Sequence, residues 1–211
     1  MRVAVFSTPR TCSSLMCYIT SRRFEIHNHR EDVYTHFTQG MQEEKLEFLK
    51  TTDGYVVKLF SRYFHNDRNI RLNDMNWNMF DYVFITERVN LVDQMASLYR
   101  RIYENTTYIN LQSSEVLEFY LQHKEYLKLF YNIKTDILSL HKNAYVVTYE
   151  GLQNNPIKYL NSVTNLNFID SNIPLPKVFP AVTQTLIDYK QYFTNYNELK
   201  LFVESWNLIK D

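Results

Sequence analysis

Arg10, Thr11, Ser13 and Ser14 stand together in one short turn, and their types and spacing suit the holding of an anion. An apolar run, Val3-Ala-Val-Phe6, breaks just before them at Pro9. A helical pattern begins just after, with Leu15, Tyr18 and Ile19 at i, i+3 and i+4. In a strand–loop–helix unit the first N–H groups of the helix are unpaired and point at one spot, where the helix dipole also favours negative charge. The Arg10 guanidinium and the hydroxyls of Thr11, Ser13 and Ser14 add donors to that spot. The same stretch also fits an ordinary strand–turn–helix connection capped by Ser13 or Thr11. By itself it does not decide between the two.

A second constellation lies in Ile85-Thr-Glu-Arg-Val-Asn-Leu-Val-Asp-Gln-Met-Ala-Ser-Leu-Tyr-Arg-Arg101. At about 100° per residue from Leu91, a stripe of Leu91, Met95, Leu98 and Ile102 forms a core face. Gln94, Ser97 and Arg101 fall together on its flank. Arg88 sits just past the end of an apolar strand, 81–86, and in a parallel α/β sheet that edge is where ligands bind. Arg88 and Ser97, nine positions apart, can therefore converge on a second anion. The plainer alternative makes Ser97 a small residue at a helix–sheet contact and Arg88 a solvated loop charge. Lys58 is a lone lysine in the apolar strand 55–60. Such a lysine costs energy unless its head reaches solvent or an anion.

Together the two stretches resemble the sulfotransferases that use 3′-phosphoadenosine-5′-phosphosulfate (PAPS). Members of that family carry a strand–loop–helix of the form Pro-Arg-Ser-Gly-Ser/Thr-Ser/Thr for the 5′-phosphosulfate. They carry an Arg…Ser pair at a later strand end for the 3′-phosphate. Here the first motif reads Thr8-Pro-Arg-Thr-Cys-Ser-Ser14, and the second is Arg88 with Ser97 inside Gln94-Met-Ala-Ser-Leu-Tyr-Arg100. The spacing and the Gln-x-x-Ser-Leu string resemble the bacterial trehalose-sulfotransferase branch more than the cytosolic animal enzymes. Val146-Val-Thr-Tyr-Glu-Gly-Leu152, followed by Asn155-Pro156, is similar to the family's Tyr-Glu-Asp-Leu strand end and the helix after it. The likeness spans residues 3–165.

The resemblance implies a P-loop-like three-layer α/β sandwich and transfer of a sulfuryl group from PAPS, as co-substrate, to a hydroxyl of a carbohydrate or other small acceptor. It places Pro9, Arg10, Thr11, Cys12, Ser13 and Ser14 around the 5′-phosphosulfate, with Arg88 and Ser97 at the 3′-phosphate. In-line displacement, by analogy with phosphoryl transfer, needs fixed donors on the leaving oxygen and a general base on the acceptor, and requires no metal. In the resembled branch a glutamate shortly after the first helix is the base; elsewhere in the superfamily a histidine is. Glu31 is the first candidate here, then His29 or Glu25, among neighbours that include His27, Asp32 and His36. Lys58 is expected to approach the phosphosulfate. The string His27-Asn-His29 with His36 lacks the Cys or carboxylate pattern of a metal site.

The chain departs from the family in two places. The loop glycine is replaced by Cys12, which puts a Cβ where the backbone must come close to phosphate or take a positive φ. The basic, glycine-containing C-terminal loop for the 3′-phosphate is replaced by nothing recognisable, and Lys190 is the nearest substitute. The loop also lacks the Gly-Lys-Ser/Thr ending of an ATP- or GTP-hydrolysing P-loop. Two rivals follow: a sulfotransferase-fold protein retained as a binding or assembly module, and a small P-loop kinase or NTPase.

The elements that must position these residues read as follows. Strands are expected at 3–7, 55–60, 81–86 and 144–148, at least three of them continuously apolar. Helices are expected after the first loop, at 41–50, at 91–103 with Asn90 as cap, over 113–141, from Pro156, and at 198–209 with Asn195 as cap. Residues 24–40 and 61–79 read as loop or ambiguous. Strands alternating with helices predict an α/β sandwich with a central, mostly parallel sheet covered on both faces. The 211 residues suffice for one domain, with no internal repeat or boundary. Lys and Arg (23) balance Asp and Glu (23), which argues against a nucleic-acid partner. No apolar run approaches a membrane span. Cys12 and Cys17, about 7.5 Å apart along a helix axis, are not expected to pair. They fit a reducing cytoplasm, that of a host if this small chain is phage-encoded.

Overall fold

Val3, Ala4, Val5 and Phe6 are each 0% exposed, so the apolar run is buried from both sides. It forms β1 (Arg2–Ser7), the middle strand of a five-stranded sheet of order β2-β3-β1-β4-β5. The others are β2 (His27–Asn28), β3 (Tyr55–Phe60), β4 (Tyr82–Glu87) and β5 (Ala144–Thr148). Every pairing is parallel. The helices are α1 (Ser13–Phe24), α2 (Gln42–Thr51), α3 (Leu91–Ile102), α4 (Ser114–Leu140), α5 (Tyr149–Asn154), α6 (Pro156–Val163), α7 (Tyr189–Tyr192) and α8 (Tyr196–Glu204). The computed structural model describes residues 1–28, 42–62, 64, 75–104, 106–169 and 188–208.

Continuously apolar strands need cover on both faces, and they have it. Ala4, Phe6, Val57, Leu59, Val83 and Ile85 face Leu46 and Leu49 of α2 and Phe130, Ile133 and Ile137 of α4. Phe6 stacks on Phe130 at 5.2 Å and meets Trp77 edge-on at 5.4 Å. On the other face Val3, Val5, Val56 and Phe84 meet Leu15, Met16 and Ile19 of α1, Leu152 of α5 and Leu160 of α6. The expected three-layer α/β sandwich is thus observed, with all five described strands parallel. A third cluster joins α3 to the N-terminal half of α4, α7 and α8 through Met95, Tyr99, Tyr120, Phe193 and Leu199. No described helix is long and apolar enough to cross a membrane.

The strand order fixes where a ligand can sit. From β1 the chain moves toward β3 and β2; from β4 it moves the opposite way, to β5. β1 and β4 are hydrogen-bonded neighbours, with Ser7 opposite Thr86. The carboxyl ends of two adjacent strands whose connections diverge leave a crevice, and open α/β sheets bind ligands there. The β1–α1 loop and Arg88 flank that crevice.

Some local expectations change. Residues 27–28, read as loop, form a strand too short to show any alternation. β4 runs one residue further than the apolar stretch suggested, to Glu87. α5 begins directly at Tyr149, with the Thr148 hydroxyl accepting from Gly151 N. Gly151 cannot be larger, because a Cβ would collide with the Tyr159 ring. Asn90 caps α3 as expected, accepting from Asp93 N at 3.0 Å. Asn195 precedes α8, but its side chain bonds the backbone of Ile109 instead of capping. Ile102, placed on the core stripe of α3, is 51% exposed. The buried apolar residues there are Val92, Met95, Ala96, Leu98 and Tyr99.

Candidate functional site

The β1–α1 loop is held in an unusual backbone state. Arg10 and Cys12 both have positive φ, 67° and 60°, without being glycine. Such residues persist only where their surroundings over-determine them. Here the surroundings are polar and buried. Thr11 Oγ1 donates to Thr8 O at 2.9 Å and lies 3.0 Å from Thr86 Oγ1 on β4. From α3, Gln94 Nε2 donates to Thr8 Oγ1 at 2.8 Å and to Pro9 O at 2.7 Å. Thr11 therefore turns its hydroxyl inward, to hold the loop. The N-cap of α1 is Cys12, with no side-chain cap, so neither Ser13 nor Thr11 fills that place. The first-turn N–H groups have no intrahelical acceptor and stand at the crevice.

Two cations reach this helix end. Lys58, on the α1 face of β3, donates from Nζ to Ser14 Oγ at 3.1 Å. Its head also lies 5.1 Å from the centre of the Phe60 ring. The lone strand lysine thus climbs to the carboxyl edge, as its sequence position suggested. Arg10 Nε donates to Ser97 Oγ at 2.9 Å. That bond ties the loop to α3 and links two residues expected at separate anions.

Arg88 is the second pole of the site. It is 5% exposed, at the carboxyl end of β4. Its guanidinium lies over the Tyr149 ring at 4.2 Å and near the Tyr189 ring at 5.7 Å. Its carboxylate neighbours, Asp93 at 3.7 Å and Glu150 at 3.9 Å, are beyond hydrogen-bond reach. Its Nε is buried with no hydrogen-bond partner. Both carboxylates are occupied elsewhere. Glu150 accepts from Val89 N and Asn90 N, and Asp93 accepts from Tyr196 OH at 2.7 Å. A buried guanidinium held in place yet short of acceptors is suited to an incoming anion.

Cys12 lies between the two poles. Burial pushes its thiol from the ordinary 9.0 up to about 12, against the opposing pull of Arg88 and then Arg10. The thiol is neutral and unreactive at neutral pH, and both cysteines are free. The folded state keeps this proton where the unfolded chain has lost it. The associated stability is therefore complete below about pH 9 and is lost as the pH climbs toward about 12. Burial raises the phenol of Tyr131 to about 12 as well, and those of Tyr55, Tyr120 and Tyr196 in the same direction. Urea midpoints are expected to hold up to about pH 9 and to fall above it, less steeply in Cys12→Ala.

Other expected site residues do not join. Glu25 is exposed and caps the far end of α1. A 12-residue helix is about 18 Å long, so Glu25 lies near the amino ends of the strands and cannot act at the loop. His27 starts β2 at that same end. Glu31 and His29, with Asp32 and His36, lie outside the described residues. Arg101 is exposed and pairs with Glu104 at 3.0 Å, away from Ser97. Lys190 is exposed, while its neighbour Tyr189 faces Arg88. The described residues contain no group of His, Cys, Asp and Glu that could hold a metal ion. Sequence reasoning missed the clamp by Gln94, and it read Tyr149 and Glu150 as structural without linking them to Arg88. The flank position of Gln94 beside Ser97 was the available signal for the first.

Comparison with protein-family models, curated proteins and solved structures finds no match.

Proposed function

We propose that this protein is a PAPS-dependent sulfotransferase with a P-loop-like fold, acting on a hydroxyl of a small acceptor such as a carbohydrate. One observation carries the reading. Two separate cationic poles, Lys58 with Ser14 at the start of α1 and the buried Arg88, flank one crevice between β1 and β4. A nucleotide with phosphate groups at both ends needs that arrangement. Lys58, Arg10, Ser13, Ser14 and the first-turn N–H groups would hold the 5′-phosphosulfate and take up the charge that builds on the leaving oxygen. Arg88, stiffened by Tyr149, would hold the 3′-phosphate. The acceptor oxygen bonds to sulfur as the bond from sulfur to the 5′-phosphate oxygen breaks.

A comparative thermal-shift panel tests this. PAP and PAPS are expected to raise Tm more than ATP or GTP. A ligand at 100 times its Kd stabilises by about 2.7 kcal/mol, which for a chain of this size shifts Tm by about 5–10 °C. No stabilisation by millimolar PAP overturns the reading, and a larger shift with ATP favours a kinase.

One observation favours a second reading, a binding module of the same fold. Cys12 occupies a left-handed position with a Cβ at the helix end, and Arg10 is engaged with Ser97. Transfer of ³⁵S from labelled PAPS to any acceptor disposes of that reading.

A further inference from the structure

Two carboxylates stand beside the buried Arg88, and an anion arriving there competes with both. Glu150 is held off by the backbone, since its two oxygens accept from Val89 N at 3.1 Å and Asn90 N at 3.2 Å. Asp93 lies in the first turn of α3, where the helix dipole favours a negative side chain. Its Oδ2 is 3.7 Å from Arg88 Nη2, just beyond hydrogen-bond reach. A small rotation of this short side chain would close the gap. Arg88 would then be satisfied from within the protein and lost to a ligand.

The other oxygen of Asp93 is held by a residue 103 positions away: Tyr196 OH donates to Oδ1 at 2.7 Å. That is the length of a charge-assisted bond from a hydroxyl to a carboxylate. Burial, and then the bond to Asp93, raise the phenol above its ordinary value, so Tyr196 keeps the proton that it donates.

A built turn delivers Tyr196 to this place. Asn195 does not cap α8. Its Oδ1 accepts from Ile109 N at 2.9 Å and its Nδ2 donates to Ile109 O at 2.6 Å. One residue earlier, Thr194 N donates to Thr107 O at 2.9 Å. Leu199 and Val203 of α8 pack in one cluster with Val92, Met95 and Tyr99 of α3. The start of α8 is thus fixed against the helix that carries Asp93. Lys190, expected at the 3′-phosphate, is exposed.

We propose that Tyr196 is a positioning residue for the 3′-phosphate: by holding Asp93 it keeps Arg88 open to the incoming anion. This inference rests on the functional reading above. The C-terminal segment then serves that pole by withholding a competing carboxylate, not by adding a cation.

A double-mutant cycle on PAP binding, read by titration calorimetry, tests this. Tyr196→Phe removes the hydroxyl and keeps the ring. It is expected to weaken PAP binding by about tenfold, because Arg88 must first give up a hydrogen-bonded carboxylate. Asp93→Asn removes the competing charge at constant size and should bind PAP at least as tightly as the wild-type protein. In that background Tyr196→Phe should change the affinity by no more than about twofold. Asp93→Ala, which also removes the charge, should behave alike. Wild-type affinity in Tyr196→Phe overturns the proposal. So does an equal loss with and without the Asp93 carboxylate, the mark of a residue that only supports the fold. Either result leaves the sulfotransferase reading intact, because the wild-type protein still binds PAP. Failure of the wild-type protein to bind PAP overturns both.

Discussion

Replacing Arg88 with methionine is expected to abolish stabilisation by PAP while leaving the ligand-free protein nearly as stable as before. Arg88 is buried, its ion pairs are longer than hydrogen bonds, and its Nε has no partner. Removing one partner of a buried ion pair costs stability when the other charge is left buried and unpaired; here Asp93 and Glu150 are 24% and 39% exposed, and Asp93 keeps its bond from Tyr196 OH, so little is lost. Methionine keeps a flexible, polarisable contact with the Tyr149 ring. Glu150 is not left stranded, because Val89 N and Asn90 N still bond it. With ligand the balance reverses. Removing one partner of a buried, hydrogen-bonded charge pair costs about 2–5 kcal/mol, a loss in Kd of about 30-fold to several thousandfold. Arg88→Lys should recover little, since a point charge cannot reproduce the planar donor set stacked on Tyr149. A variant that melts several degrees lower yet keeps its PAP shift would make Arg88 a structural residue and sink the assignment.

What the sequence made legible follows from how locally each feature is encoded. β1 and β4 announce themselves because strands buried on both faces are largely apolar, and β3 and β5 do so by their apolar runs, β3 despite Lys58. β2 does not, because two residues on an edge carry no period. The β1–α1 loop and Arg88 could be placed because each directly follows such a strand. The Arg10–Ser97 and Gln94–Pro9 bonds could not, because they join residues 87 and 85 positions apart. Glu25 shows the opposite error. It is near the loop in sequence, and the helix between them carries it to the other end of the sheet.

Cys12→Gly is expected to tighten PAP binding by about tenfold, equivalent to about 1.4 kcal/mol, with little change in stability. Cys12 has φ 60° and ψ 21°, a conformation that costs an ordinary L-residue about 1–2 kcal/mol and a glycine almost nothing. Relief of that strain is offset by the greater freedom of glycine in the unfolded chain, about 0.5–1 kcal/mol. Lost packing against the second apolar cluster offsets it further. The stability terms therefore nearly cancel. Binding has no such cancellation. Removing the Cβ clears the approach to the first-turn N–H groups of α1, and a hydrogen bond to a charged group contributes about 1.5–3 kcal/mol. Cys12→Ala separates the two causes. It deletes the thiol but keeps both the Cβ and the left-handed strain, so it should bind PAP no better than the wild-type protein and melt lower than Cys12→Gly. If glycine and alanine bind PAP equally, close approach of the backbone is not what the loop is for. The left-handed cysteine would then serve only to turn the chain from β1 into α1.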